Sequence, residues 1–321
     1  MRILITGATG FAGGWLAQEL AQSHPEASLF GMSHRGGDQG DLPNFLPEGM
    51  QILAGDLENP NTLQPLIQTA DPDVVFHLAG FASGAGTDRD RIFRLNVGGT
   101  EALLQLLSER KKPCRVLLAS SGYVYGATNP GSPALESDTP QPSGAYAASK
   151  WAMEQAVQPY SEKGNLFLTI VRSFNHTGPR QTPAFVIPGF ARQIARIEQG
   201  QEEPVVRHGN LEAIRDFLHV RDVVRAYRML MVDAEPSPWR LVNICSGQGY
   251  VIRELLEKLL AQAQVKVTQE QDPERMRPSD LPECVGSPSR LQEITGWQPE
   301  VSIEATLEDT LNYWRETGRT G

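Results

Sequence analysis

Arg2-Ile3-Leu4-Ile5-Thr6-Gly7-Ala8-Thr9-Gly10-Phe11-Ala12-Gly13 stands at the start of the chain, and its reading decides the fold. The first five residues form a short apolar run, suited to a strand buried on both faces. Three glycines follow at a GxxGxxG spacing, and residues 15–21 then take up a helical period. Glycines at such a junction let the backbone turn tightly, approach a pyrophosphate and pack the helix against the sheet. The helix N-terminus adds free N–H groups and a positive dipole end, which suit phosphate. A glycine triplet alone is common in turns; its place between a strand and a helix is what makes it a dinucleotide site. Gly7, Gly10, Phe11, Ala12 and Gly13 are therefore expected to hold a cofactor.

The alternation continues outward from this stretch. Residues 28–32 and 50–54 read as the second and third strands, 61–70 as a helix and 73–78 as the fourth strand. Residues 92–109 predict one long helix, 115–119 a fifth strand, 166–172 a sixth, and 240–244 a further one. Strands alternating with helices imply right-handed crossovers and a parallel sheet covered on both faces. The expected class is α/β, a Rossmann doubly wound parallel sheet with a smaller C-terminal substrate-binding α/β lobe. Residues 1–172 are assigned to the dinucleotide-binding domain, with 216–245 returning to it, and 173–215 with 246–321 to the lobe. Proline and glycine cluster in 128–144, 178–189 and 272–288, which read as loops near a site or between lobes.

Bulk properties narrow the function. A net charge of −9 over 321 residues argues against a general nucleic-acid binder, which needs a basic face. The three cysteines are isolated from one another, with no CxxC pair and no metal-ligand spacing. No signal-peptide layout precedes the first strand and no apolar run is long enough to span a bilayer, so the expectation is a cytoplasmic protein.

The end of the second strand bears on the cofactor. An acid there would bond the adenosine ribose hydroxyls, but the sequence reads Ser33-His34-Arg35. Arg35, helped by Ser33, could hold a 2′-phosphate, which favours NADP, with NAD as the alternative because Asp38 lies close by. Asp56 and Leu57 follow the third strand, where the carboxylate either accepts from the adenine amino group or caps a helix.

Tyr146-Ala147-Ala148-Ser149-Lys150 sets a phenol and an ammonium four residues apart, on one helix face. A neighbouring ammonium favours the phenolate and readies Tyr146 for proton transfer. Ser120 and Ser121 end the fifth strand, and either hydroxyl could hold a substrate oxygen. A YxxxK spacing by itself also fits a surface helix. Taken with the glycine loop and the serine pair, it makes the chain resemble the extended short-chain dehydrogenase/reductase family over nearly its whole length. The resemblance includes His77-Leu78-Ala79-Gly80 after strand four and Asn96-Val97-Gly98-Gly99-Thr100 in the long helix. It implies that Leu78 and Ala79 line the cofactor and that Asn96 is structural. Ser121 and Tyr146 would polarise a carbonyl or alcohol, and Lys150 would also hold the nicotinamide ribose.

Segments past Lys150 resemble the nucleotide-sugar branch of that family. Ser173 to Arg180 follows strand six, and the resemblance implies that Asn175 bonds a sugar diphosphate. Residues 209–217 and 277–280 look like segments of GDP-mannose 4,6-dehydratases and of GDP-4-keto-6-deoxy-mannose reductases, which makes Arg215 and Arg277 a diphosphate clamp. The other reading of each arginine is an ion pair with Asp216 or Asp280. Dehydratases of the family carry a carboxylate two residues after the Ser/Thr that ends strand five, and Tyr123 stands there instead. Without that base, elimination is disfavoured. The expectation is reduction, by NADPH, of the C4 ketone of a GDP-linked 4-keto-6-deoxy sugar, yielding GDP-rhamnose or its C4 epimer. Tyr146 would protonate the alkoxide, Ser121 would donate to it and Lys150 would keep Tyr146 poised. A 4-epimerase with tightly held NAD is the nearest alternative, and a non-catalytic redox-sensing regulator the alternative of another class. By family analogy, the helix at 92–109 and that bearing Tyr146 would pair across a two-fold axis in a homodimer.

Overall fold

The computed structural model describes residues 1–34, 43–81, 88–276 and 281–317. Arg35, Asp38, Arg277 and Asp280 lie outside the described residues. The first part of the chain runs β1 (Arg2–Thr6), α1 (Phe11–Ser23), β2 (Ser28–Ser33), β3 (Gln51–Ala54), α2 (Leu63–Ala70) and β4 (Val74–His77). Next come α3 (Arg89–Phe93), a π segment Arg94–Gly99, α4 (Thr100–Ser108), β5 (Cys114–Ser121), α5 (Gly144–Val157) and β6 (Leu166–Ser173). The remainder begins with β7 (Asn175–Thr177), α6 (Val186–Glu198), β8 (Val205–His208), β9 (Ile214–His219), α7 (Val220–Arg228) and β10 (Trp239–Ile244). It ends with β11 (Gly249–Val251), α8 (Ile252–Leu260), β12 (Thr268–Gln271), β13 (Glu283–Cys284), α9 (Ser289–Thr295) and α10 (Ile303–Thr317).

Seven strands lie side by side in the order β10-β6-β5-β4-β1-β2-β3, and every adjacent pair is parallel. Successive apolar residues fit because both faces are covered: Ile3, Leu4 and Ile5 expose no surface. Leu16, Ala17 and Leu20 of α1 and Val220, Val223 and Val224 of α7 close one face. Leu66 of α2, Leu103 and Leu107 of α4 and Met153 of α5 close the other. Strand order reverses between β1 and β4, the switch point at which such sheets open a crevice at their C-terminal ends.

The smaller lobe has its own core, formed by Phe190 and Ile194 of α6, Leu255 and Leu259 of α8, and Leu307 and Leu311 of α10. Its strands centre on β9, which pairs in parallel with β7 and β13 and antiparallel with β11. The expected α/β class with an appended lobe is therefore what the chain forms. The boundary drawn at 216 falls inside β9; the chain leaves the small sheet at His219, and α7 packs on α1. Leu291 and Trp297 also join the large-sheet core, inside the stretch assigned to the lobe.

The long helix expected at 92–109 is instead broken. Arg94–Gly99 winds as a π segment between α3 and α4. Gly98 and Gly99 lower the helical preference there, and Gly99 packs so closely on Leu57 that an added Cβ would lie 2.7 Å from the Leu57 Cβ. The wider turn coincides with Asn96, which is buried among polar partners. Cys114, Cys245 and Cys284 are free and buried, and burial raises all three thiols, so they are inert. Among the described residues no helix is long and apolar enough to cross a membrane.

Candidate active site

The glycine loop has the shape a dinucleotide needs. Gly7 takes φ +73°, and a Cβ there would press on the Ala79 nitrogen at 3.0 Å. At Gly13 a Cβ would lie 2.1 Å from the Gly7 carbonyl oxygen, so the first turn of α1 meets β1 only through glycine. Gly10 caps α1 with no side-chain capping bond, and no acid occupies the first turn. The leading N–H groups, including those of Phe11 and Ala12, are thus left for a ligand's phosphates. Leu78 and Ala79 run directly against Gly7. These features fit a bound NADP: the glycine backbone for its pyrophosphate, and the chain after β4 for the neighbouring ribose.

Ser33 closes β2, and His34 faces Asp56 at 3.5 Å. Asp56 Oδ1 accepts from the Glu58 N–H at 2.9 Å, a local turn bond, and Leu57 is buried. The Phe11 ring stacks on His176, with centroids 5.9 Å apart, which joins the glycine loop to the chain following β6.

β5 and α5 bring Ser121, Tyr146 and Lys150 together. Ser121 ends β5, and its hydroxyl lies beside the Tyr146 phenol while accepting from the Tyr123 N–H at 3.2 Å. Lys150 follows Tyr146 by one helical turn and donates to the Ala119 carbonyl at 2.7 Å. A buried chain of hydrogen bonds holds this end of α5 to β1. Thr6 Oγ1 meets His77 Nδ1 at 2.8 Å, and His77 Nε2 meets Thr100 Oγ1 at 3.0 Å. Thr100 donates onward to the Asn96 carbonyl, Asn96 Nδ2 donates to Ser149 Oγ, and Ser149 donates to the Tyr146 carbonyl. Asn96 Oδ1 accepts from the Phe81 N–H at 2.8 Å.

The single Thr100 proton is committed to Asn96, so His77 carries its proton on Nε2 and accepts from Thr6. Burial, with Lys150 nearby, drops His77 to about 3 and keeps it neutral. His77, Asn96 and Ser149 are therefore a scaffold for the helix that bears the phenol and ammonium.

Burial sets the electrostatics of the pair. It pushes the Tyr146 phenol up to about 12, with the neighbouring Ser121 hydroxyl opposing the shift. It lowers Lys150 to about 8, with Glu154 opposing the shift. Ketone reduction needs a protonated phenol beside a cationic lysine. The phenol keeps its proton across the neutral range, while the ammonium is lost as pH rises through about 8. Turnover in the reductive direction is therefore expected to fall above about pH 8. A pH profile that stays flat to pH 10, well past the pKa of Lys150, would contradict this assignment.

The substrate side is partly assembled. Arg215, on β9, sets its guanidinium 6.0 Å from the Tyr123 ring centroid, next to Ser121. Asn175 starts β7 in register with Phe217 of β9, directly after β6. Reading the sequence missed a cavity of about 210 Å³ lined by Arg192, Arg196, Arg207 and Arg275 together with Glu202, which pairs with Arg196 at 2.6 Å. Only the i, i+4 pair Arg192 and Arg196 was visible as a pattern; the other two come from separate segments. Also missed was the buried group Ser120, Glu154 and Arg172, next to the catalytic set.

Comparison with known proteins places this geometry. The family model described as GDP-mannose 4,6 dehydratase matches residues 4–310. The chain belongs to the GDP-mannose 4,6-dehydratase family. Within the wider extended short-chain dehydrogenase/reductase group, whose resemblance is thereby borne out, it is similar to several characterised members. GDP-6-deoxy-D-mannose reductase of Pseudomonas aeruginosa is 36% identical over 321 residues, covering 99% of this chain and 98% of its own. GDP-6-deoxy-D-talose 4-dehydrogenase of Aggregatibacter actinomycetemcomitans is 28% identical and covers 96% of each chain. The solved structure of RMD from Pseudomonas aeruginosa complexed with NADPH superposes with a TM-score of 0.83 at 34% identity, covering 99% of this chain and 100% of that one.

Proposed function

We propose that the chain reduces the C4 ketone of GDP-4-keto-6-deoxy-D-mannose to GDP-D-rhamnose with NADPH. The observation that carries this reading is the Ser121, Tyr146 and Lys150 set beside a dinucleotide loop, with Tyr123 where a dehydratase needs its base. Removing the C5 proton of a sugar calls for a carboxylate near that place, whereas ketone reduction needs only a hydride and a proton. The family's dehydratase name thus covers a fold whose elimination chemistry this chain lacks the residue for. Two relatives named for reactions of GDP-6-deoxy sugars support the same substrate class.

When bound, NADPH supplies the hydride. Tyr146 donates its proton to the oxygen that becomes the C4 hydroxyl, and Ser121 donates a hydrogen bond to the same oxygen. Lys150 keeps Tyr146 poised and reaches the nicotinamide ribose. β2 ends in Ser33 without a carboxylate, which leaves the adenosine ribose open to a 2′-phosphate, with Arg35 the residue to hold it. Asn175, Arg215 and Arg277 take the sugar diphosphate. The chain works as a homodimer through α4 and α5, and light scattering on a sizing column checks this: a monomer at micromolar concentration would contradict it.

The test is NADPH absorbance with freshly made GDP-4-keto-6-deoxy-D-mannose. Steady oxidation with this ketone, and none with GDP-mannose, is expected; failure with both NADPH and NADH would sink the reading. Arg215→Ala should raise the KM for the keto sugar about tenfold or more, with Lys at that position restoring only part, because a lysine cannot form the two-pronged contact. An unchanged KM would remove Arg215 from the substrate site.

A further inference from the structure

One turn beyond Lys150, on the same face of α5, stands Glu154, 3% exposed. Its carboxylate accepts from Ser120 Oγ at 2.5 Å and from Arg172 at 3.1 and 2.7 Å. Arg172 is 2% exposed, sits opposite Ser120 in the β5–β6 register, and lies 4.6 Å over the Tyr125 ring. Ser120 falls between Ala119, whose carbonyl accepts from Lys150, and Ser121, whose hydroxyl lies beside Tyr146. A carboxylate on the catalytic helix therefore grips the strand residue between the two groups that meet the catalytic pair.

Stability alone is a poor reason for this arrangement. A buried ion pair costs desolvation, and apolar side chains of similar volume fill such a space equally well. We propose that Glu154, held by Arg172, is a positioning residue for the reduction: it locks the end of β5 against α5 through Ser120, and its negative charge supports the Lys150 ammonium. The inference rests on the Ser121, Tyr146 and Lys150 reading above.

Among the described residues, the groups around Lys150 leave Glu154, paired with Arg172 of β6, as its source of negative charge. From α5 the neighbours are Tyr146 and Glu154, and from β4 the neutral His77. After β5 come Tyr123 and Tyr125, the latter pushed up to about 12 and bonded to Asn243. On the helices packed against α5, Arg91 pairs with Glu58, Arg89 lies over Phe93 and Arg94 faces Asp88. Asp90 is exposed and Glu101 half-buried, and Lys163 past the end of α5 lies over Tyr160. Burial pulls Lys150 down and Glu154 pulls it up, so removing the Glu154 charge moves the loss of the ammonium to lower pH.

The experiment compares pH profiles of kcat/KM for the keto sugar in wild type, Glu154→Gln, Glu154→Asp, Ser120→Ala and Tyr146→Phe. In Glu154→Gln the alkaline midpoint should fall by about one pH unit and kcat by about tenfold, with both KM values within about threefold. Glu154→Asp should return the midpoint towards wild type. Ser120→Ala, which keeps the ion pair, should lower kcat without moving the midpoint. If Glu154→Gln does not fold, Glu154→Gln/Arg172→Gln carries the same comparison with no buried charge left unpaired. An unmoved midpoint with full kcat, or a change in KM alone, overturns the proposal. Full turnover by Tyr146→Phe would instead overturn the catalytic reading beneath it.

Discussion

Replacing Tyr146 by Phe should lower kcat for ketone reduction by about 10²- to 10⁴-fold while leaving NADPH affinity within about threefold. The size follows from what is removed. The Tyr146 hydroxyl lies beside Ser121 at the end of β5 and is the group assigned to deliver the proton. Tyr123, a phenol that neighbours Tyr146 in space, is anchored by its own N–H to Ser121, and its ring faces Arg215. The ring of Phe fills the same space, so the fold, the glycine loop and the Lys150 bond to Ala119 stay in place. Single-turnover kinetics with the keto sugar separate the chemical step from product release. A loss of less than tenfold would mean that Ser121 or a water delivers the proton, and Tyr146 would lose its assigned part.

Trp297→Ala should destabilise the protein by about 3–5 kcal/mol, the range for emptying a large buried aromatic site. Trp297 has no exposed surface, its indole N–H donates to the Asp222 carbonyl at 3.0 Å, and Arg225 lies 5.7 Å from the ring. The Asp222 carboxylate also accepts from the Glu300 and Val301 N–H groups, so the same substitution loosens the stretch that leads into α10. For a chain of this size that loss corresponds to a fall in Tm of roughly 4–8 °C. Thermal unfolding followed by circular dichroism measures it; a shift below about 2 °C would mean that the C-terminal third is not tied to the large sheet as described.

These two residues mark what the sequence made legible and what it hid. Tyr146 and Lys150 could be read because their relation is local: four residues on a helix place both side chains on one face. Gly7, Gly10 and Gly13 were legible for a similar reason, since a strand, a turn and a helix follow one another without interruption. Trp297 was not, because nothing in residues 289–297 says that they pack on α7 rather than within the smaller lobe. Glu154 and Arg172 are 18 positions apart and meet only when β6 is laid beside β5. The π segment escaped a periodic reading because the partners that fix the Asn96 side chain, Phe81 and Ser149, are remote in sequence. The arginines around the cavity in the smaller lobe come from α6, β8 and the turn after β12, so only folding assembles them.

The account stands most directly on one measurement: NMR of the product made from the keto sugar with NADPH deuterated at the transferred position. It predicts deuterium at C4 of GDP-D-rhamnose, with one NADPH consumed per sugar and transfer slowed about 10²- to 10⁴-fold in the Tyr146→Phe protein. Deuterium absent from C4, or a changed sugar formed without net NADPH consumption, would contradict the reductase and point to an epimerase that returns its cofactor unchanged.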